Sequence, residues 1–221
     1  MSKILVVAPH PDDEVLGVGG TIAKRCRGGD QVYVCIVTKG QQPMFSEESV
    51  AQVRAEAVAA HQMLGVAETI FLDLPAVLLD TIPQAEVNAK IGELVMRILP
   101  DEIYIPHHGD MHKDHLIVAE ACMVALRPKY RHKVSKIYAY ETLSETGWHI
   151  PNAANQFIPT VYEDITNTLQ DKLSAMLIFK SQVSQFPDAR SVGALEALAK
   201  YRGSTVGMEA AEAFSLIREI K

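Results

Sequence analysis

The chain has 221 residues, of which 48% are hydrophobic and 22% charged, the proportions of an ordinary globular protein. Its formal net charge of -6, without a basic run, argues against nucleic acid or an anionic membrane surface as a partner. No apolar stretch reaches membrane-spanning length, and because a strand pattern starts at Lys3 we expect no signal peptide. Three widely separated cysteines indicate reduced thiols, so we expect a cytoplasmic protein.

Strand and helix patterns alternate along the first 140 residues. The predicted strands are Lys3–Ala8, Gln31–Thr38, Glu68–Leu72, Glu102–Pro106 and Lys136–Tyr140. The predicted helices between them are Val15–Arg27, Glu47–Leu64, Gln84–Ile98 and His115–Leu126. Such alternation predicts an α/β fold, a Rossmann-like and mostly parallel sheet flanked by helices on both faces.

The pattern changes after Glu141. Residues 144–160 are polar and typical of a loop, and two helices are predicted after them, at Asp171–Ser184 and Ser191–Arg202. We therefore expect one domain spanning residues 1–221. It consists of a Rossmann-like core, residues 1–140, and a C-terminal helical cap, residues 141–221, around the carboxyl edge of the sheet.

The first strand pattern ends in an acidic turn, Pro9-His10-Pro11-Asp12-Asp13-Glu14. Acidic residues in a first helical turn complement the helix dipole, but capping does not account for the imidazole of His10. The glycines at positions 17, 19 and 20 follow this turn too late for a dinucleotide-binding loop. We interpret them as permitting close packing of the helix on the sheet.

The fourth predicted strand ends in a turn, residues 107–115, that holds four of the eight histidines. In the common doubly wound order 3-2-1-4-5, the first and fourth strands are neighbours, so their turns share one cleft. His10 and Asp13 then face His115. Two imidazoles and one carboxylate suit a tetrahedral zinc ion with an open fourth position. Fe²⁺ or another divalent metal accepts the same ligands.

These two turns resemble the LmbE-like, or PIG-L, family of zinc-dependent N-deacetylases. The resemblance rests on Ala8–Glu14 together with His112-Lys113-Asp114-His115, and continues through Arg54-Ala55-Glu56 to Leu64-Gly65-Val66. Lys113 stands where many relatives have proline, and Pro9 is inserted before His10. Weaker similarity in the tail covers Ser181-Gln182, Arg190-Ser191, Arg202-Gly203 and Ala211–Phe214.

The resemblance implies a hydrolase that removes the N-acetyl group from an amino sugar or sugar conjugate of the N-acetylglucosamine type. It implies Zn²⁺ on His10, Asp13 and His115, with Asp12 as general base for a metal-activated water. A protonated His112 stabilises the oxyanion, and Asp114 holds that imidazole in its charged form. Relatives form homo-oligomers up to hexamers, which predicts self-association.

Arg54 has two alternative roles. The resemblance implies that it reaches the site and meets the acyl group as a substrate-binding residue. The alternative is an exposed arginine beside the apolar stripe of its helix.

Two other classes of function remain open. Two histidines and a carboxylate also form the facial triad of non-haem iron oxygenases, although an oxygenase needs no spare base such as Asp12. A non-catalytic metal- or nucleotide-binding module is the third possibility, and the presence of Asp12, His112 and Asp114 opposes it.

Several other residues near the two turns have open roles. Glu14 either orients a ligand imidazole or caps its helix. His107, His108 and Asp110 either line the pocket or are solvated. The remaining histidines, His61, His132 and His149, show no functional pattern.

Overall fold

A computed structural model of the chain describes residues 1–130 and 134–221, so His132 lies outside the described residues. The strands are β1 (Lys3–Ala8), β2 (Gln31–Lys39), β3 (Glu68–Pro75), β4 (Glu102–Pro106), β5 (Lys136–Tyr140), β6 (Val161–Asp164) and β7 (Ala211–Glu219). They form one sheet in the order β3-β2-β1-β4-β5-β7-β6. Strands β1 to β5 pair in parallel, which confirms the predicted sheet and its 3-2-1-4-5 order.

Helices cover both faces of the sheet. They are α1 (Asp13–Arg27), α2 (Glu47–Leu64), α3 (Gln84–Ile98), α4 (Lys113–Ala125), α5 (Leu169–Ile178) and α6 (Val192–Ser204), with 3-10 turns at Leu79–Thr81 and Pro128–Tyr130. No helix in the described ranges combines the length and apolarity needed to cross a bilayer.

The alternation of side chains along β1 divides the core into two layers. Ile4 and Val6 pack in a cluster with α1, α2, α5 and α6. Leu5 and Val7 point to the other face and pack with α3 and α4. Burial on both faces explains why the central strands are apolar throughout, as in other parallel sheets.

The two helices predicted for the C-terminal part are present as α5 and α6, but the prediction of a helical cap omitted two strands, β6 and β7, which extend the sheet. β7 pairs antiparallel with β5 and with β6. Its opening sequence, Ala211-Glu212-Ala213, favours helix when considered alone. The open edge of β5 offers unpaired backbone groups, and pairing with that edge overrides the local preference.

Glycines in α1 allow the helix to lie close to its neighbours. A Cβ on Gly17 would overlap the ring of Tyr140, and one on Gly20 would lie 2.8 Å from Cδ1 of Ile165. The Tyr140 hydroxyl donates a hydrogen bond to the carbonyl of Val7 at 2.9 Å. The prediction that these glycines permit close packing is confirmed.

A buried ion pair joins α1 to the C-terminal part of the chain. Nζ of Lys172 donates to Oε1 of Glu212 at 2.5 Å and to the carbonyl of Leu16 at 2.8 Å. The same carboxylate accepts the backbone N–H groups of Gly20 at 2.9 Å and Thr21 at 2.7 Å. Both charges are therefore hydrogen-bonded, as burial of an ion pair requires.

We expect Lys172→Met to lower the free energy of unfolding by about 3–5 kcal/mol, since it leaves Glu212 as a buried charge without a cation. Lys24→Met is the matched control, because the half-exposed Lys24 also contacts its partner Glu163 at 2.5 Å. Its cost should stay within about 1 kcal/mol. Urea denaturation measures both, and equal losses would contradict the assignment of a structural role to the buried pair.

Candidate metal centre and active site

The turn between β1 and α1 is buried and anchored to β2. The carbonyl of Pro9 accepts hydrogen bonds from the backbone N–H of Thr38 at 3.0 Å and from its hydroxyl at 2.8 Å. Asp12 is the N-cap of α1 and has a φ of 103°, which L-residues rarely adopt. Asp12, Asp13 and Glu14 are all buried. Three carboxylates in one buried turn require cations or hydrogen-bond donors nearby.

The turn between β4 and α4 supplies two imidazoles. His112 caps α4, and its Nδ1 accepts the backbone N–H of Asp114 at 3.1 Å. Asp114 and His115 follow in the first helical turn and are buried. Because β1 and β4 pair in parallel, this turn opens at the same edge of the sheet as the first.

The two turns meet around Asp13. Its Oδ2 lies 3.3 Å from Nδ1 of His10 and 3.2 Å from Nε2 of His115. Donor atoms around a tetrahedral zinc with bonds of 2.0–2.2 Å lie about 3.4 Å apart. One donor atom from each of the three residues falls within 4.8 Å of the others. The structure thus brings together the three residues predicted as ligands.

Unpartnered atoms indicate that this cluster fits a cation. Among buried side-chain atoms of the described residues, Oδ1 of Asp13 and Nε2 of His115 lack a hydrogen-bond partner. The 3.2 Å approach of His115 to Asp13 does not have hydrogen-bond geometry. Such atoms cost free energy unless something satisfies them, and a divalent ion would bind both. The donor set His10, Asp13 and His115 therefore fits Zn²⁺ or Fe²⁺.

The surrounding carboxylates favour positive charge at the cluster. Burial alone lowers the pKa of His10, but Asp114 and Asp13 raise it to about 9. Asp13 and Asp110 likewise overcome the effect of burial and raise the pKa of His115 to about 10. Since a metal ligand must be a neutral imidazole, a bound cation takes the place of these protons.

His10 and His115 each have a carboxylate beside the nitrogen that points away from Asp13. Nε2 of His10 lies 2.9 Å from Oδ2 of Asp114, and that oxygen also accepts the backbone N–H of Val77 at 2.7 Å. Nδ1 of His115 lies 2.8 Å from Oδ2 of Asp110. Such partners fix the tautomer and orientation of metal-binding histidines.

The carboxylate of Asp114, which the sequence analysis predicted to hold a charged His112, lies closer to His10. The nearest approach, from Oδ2 of Asp114 to Nδ1 of His112, is 3.9 Å. The backbone of Asp114 instead donates to Nδ1, so the proton of a neutral His112 resides on Nε2. Burial and the nearby His10 lower the pKa of His112, which also favours this neutral form.

Sequence reasoning did not identify Arg190 as a site residue. Its Nη1 lies 3.4 Å from Oδ2 of Asp12 and donates to Oε1 of Gln182 at 3.2 Å. Burial raises the pKa of Asp12 well above its usual range, and the Arg190 charge opposes this shift. The only signals were the weak tail motifs at Ser181-Gln182 and Arg190-Ser191.

A cavity of about 330 Å³ opens in front of these residues. His10, Asp12, His112 and Arg190 lie on its polar side. The apolar part of the lining consists of Phe45, Val50, Val53, Ala76 and Val77. A mixed lining of this kind is typical of small-molecule sites.

Arg54 lines the same cavity, but its charge already has a partner. The guanidinium forms an ion pair with Asp73 and lies 3.9 Å from the centre of the Phe71 ring. The Arg54 side chain is 29% exposed. Its substrate-binding role and the alternative of an exposed arginine beside the apolar stripe of its helix both stay predictions. A substrate group that binds Arg54 would have to share it with Asp73.

The other acidic and imidazole groups have structural partners. Glu14 contacts His61 rather than a ligand imidazole, with 2.9 Å between Oε1 and Nε2. His107 and His108 bind backbone carbonyls of the loop before β6, those of Asn155 at 3.2 Å and Ala154 at 3.1 Å. These two histidines therefore hold a loop in place.

Comparison with known proteins assigns the chain to a family. Residues 5–126, more than half of the chain, match the family model of PIG-L, GlcNAc-PI de-N-acetylase. The chain therefore belongs to the PIG-L family, which confirms the resemblance seen in its two turns.

Individual relatives support the same assignment. The uncharacterized deacetylase YaiS of Escherichia coli is 28% identical over 80% of this chain and 90% of that protein. The diacetylchitobiose deacetylase of Thermococcus kodakarensis is 26% identical over 85% of this chain and 72% of that protein. The solved structure of the conserved protein TT1542 from Thermus thermophilus superposes with a TM-score of 0.82 and 25% identity, covering 100% and 97% of the two chains.

We expect Asp114→Asn and Asp110→Asn each to weaken zinc binding by about 10- to 100-fold, because each removes the carboxylate behind a ligand imidazole. Competition with a chromophoric chelator measures the affinity. Asp80→Asn is the control, because this exposed carboxylate contacts only Lys113 among the ion pairs of the described residues. If the Asp114 carboxylate oriented His112 instead of His10, Asp114→Asn would leave zinc affinity unchanged.

Proposed function

We propose that this protein is a metal-dependent hydrolase that removes the N-acetyl group from an amino sugar or sugar conjugate of the N-acetylglucosamine type. The observation that carries the proposal is Asp12. Both of its buried carboxylate oxygens lack a hydrogen-bond partner among the described residues, and Asp12 lines the cavity beside His10. A base that accepts no hydrogen bond and lies next to a cation site is suited to taking a proton from water.

His10, Asp13 and His115 would hold the metal, with Zn²⁺ as the proposed ion. Bound there, zinc would lower the pKa of a coordinated water to about 7, so that hydroxide forms near neutral pH. Asp12 accepts the proton of the water that attacks the acetamide carbon. When the carbon–nitrogen bond breaks, Asp12 returns that proton to the departing amine. The products are acetate and a free amino sugar.

Two further residues would assist these steps. The N–H group at Nε2 of His112 donates a hydrogen bond to the acetamide oxygen, which becomes negative as the carbonyl carbon is attacked. Nδ1 cannot take this role, because it already accepts the backbone N–H of Asp114 in the helix cap. Arg190, 3.4 Å from Asp12, favours the ionised base in a buried turn crowded with carboxylates. Arg54 stays a proposed substrate-binding residue on the cavity wall.

The names of the relatives support the substrate class, since they include deacetylases of diacetylchitobiose. The arrangement of Asp12 and Arg190 favours hydrolysis over iron-dependent oxygenation, which has no use for a second carboxylate beside the ligands. Self-association and a cytoplasmic location stay predictions.

We expect the purified protein to release acetate from one or more members of a panel of N-acetylated sugars and glycosides, and to lose this activity with a chelator. Added Zn²⁺ should restore it. Asp12→Asn should lower kcat by about 10²- to 10⁴-fold while zinc binding persists, because only the base is lost. Acetate release that survives complete metal removal would refute the mechanism. Oxygen uptake coupled to turnover would instead support the oxygenase alternative.

We expect His112→Ala to lower kcat by about 100- to 1,000-fold through loss of an oxyanion donor. His112→Asn is the informative partner variant, because asparagine is a good helix N-cap but has no group at the position of Nε2. It should lose as much activity as His112→Ala while regaining about 1 kcal/mol of stability. Full activity in His112→Asn would show that His112 only caps α4.

A further inference from the structure

The proposed base has an unusual backbone. Asp12 has φ 103° and ψ -25°, and its side chain is fully buried. A residue with a Cβ keeps such a conformation only where its surroundings hold it there. In this turn the strained residue is also the one proposed as the base, and it lines the cavity.

A buried relay of three residues reaches the backbone of Asp12. Oε2 of Glu14 accepts the backbone N–H of Asp12 at 3.2 Å. Oε1 of Glu14 lies 2.9 Å from Nε2 of His61, and Nδ1 of His61 lies 2.8 Å from the hydroxyl of Thr69. Glu14 and His61 are 0% and 1% exposed, whereas Thr69 is partly buried, so the Glu14–His61 part of the relay lies in the core.

Helix capping alone does not require this relay. A carboxylate that accepts the N–H of an N-cap residue stabilises a helix start without any further partner. Here the carboxylate is fixed by an imidazole from α2, and that imidazole meets a hydroxyl from β3. Three separate elements of the fold thus determine the position of one N–H group.

We propose that Glu14, held by His61 and Thr69, is a positioning residue that keeps Asp12 in its left-handed conformation and so aims its carboxylate into the cavity. The inference rests on the proposed function, in which Asp12 is the general base. The relay contributes no group to the reaction itself. Its effect is to keep the base in place without a direct hydrogen bond to the carboxylate.

Two substitutions of similar size separate positioning from packing. Glu14→Met fills the space but accepts no hydrogen bond, and should lower kcat by about 10- to 100-fold as Asp12 relaxes. KM and zinc affinity should not change, because the cavity wall and the ligands stay in place. Glu14→Gln should recover most of the lost kcat, since an amide can accept from Asp12 and donate to His61.

A second measurement detects the backbone strain at residue 12 and needs no activity assay. In the otherwise unchanged protein, Asp12→Gly should have a Tm about 3–6 °C above that of Asp12→Ala, because glycine adopts a positive φ without steric cost. In a Glu14→Met background this difference should shrink, as residue 12 is no longer held. If Glu14→Met does not fold, His61→Met carries the same comparison.

The two measurements also separate this inference from the proposed function. If no N-acetylated sugar is hydrolysed, the proposed function fails, while the Tm comparison still decides whether Glu14 holds residue 12. The inference would be overturned if the Tm difference between Asp12→Gly and Asp12→Ala were the same with Glu14 present and in the Glu14→Met background. Wild-type kcat in Glu14→Met, or no recovery in Glu14→Gln, would overturn it as well.

Discussion

The parallel pairing of β1 with β4 is the constraint on which the site depends. Ile4 pairs with Glu102 and Val6 with Tyr104, so both strands end at the same edge of the sheet. The turns that follow are about a hundred residues apart in sequence, and neither holds a complete ligand set. The sheet register alone brings His10 and His115 to a ring separation of 5.4 Å.

Electrostatic compensation explains the composition of the surroundings. The first turn buries three carboxylates, and the second adds Asp110 and Asp114. In a medium of low dielectric, these charges are tolerable only with protons, cations or N–H groups at short range. Imidazoles and backbone amides supply part of this compensating charge. The unpartnered atoms of Asp13 and His115 mark the place where a metal ion would supply the rest. The same requirement accounts for a guanidinium at Asp12.

Much of this arrangement could be predicted from the sequence because it depends on strong periodic signals. Alternating strands and helices fix the order of the parallel strands, and the order fixes which turns meet. β7 could not be predicted, because its residues favour a helix until the edge of β5 is available. The meeting of His10, Asp13 and His115 is therefore a consequence of topology, and the end of the sheet is a consequence of tertiary context.

The contacts of the carboxylates could not be predicted from the sequence, for a different reason. The direction of a side chain depends on backbone angles, such as the positive φ of Val77, whose N–H draws Asp114 toward His10. Spacing along α4 placed Asp114 beside His112 and gave no sign of this turn. Likewise, no local pattern links Glu14 to His61, 47 residues away.

The position of Arg190 in the chain has a consequence for biosynthesis. The carboxylate it accompanies is at residue 12 and the guanidinium at residue 190, so during translation the acidic turn leaves the ribosome well before its cation. Strands β1 and β2 both precede Arg190 in the chain, and their pairing uses no group of that residue. Asp12, in contrast, acquires its final electrostatic environment only after Arg190 has emerged.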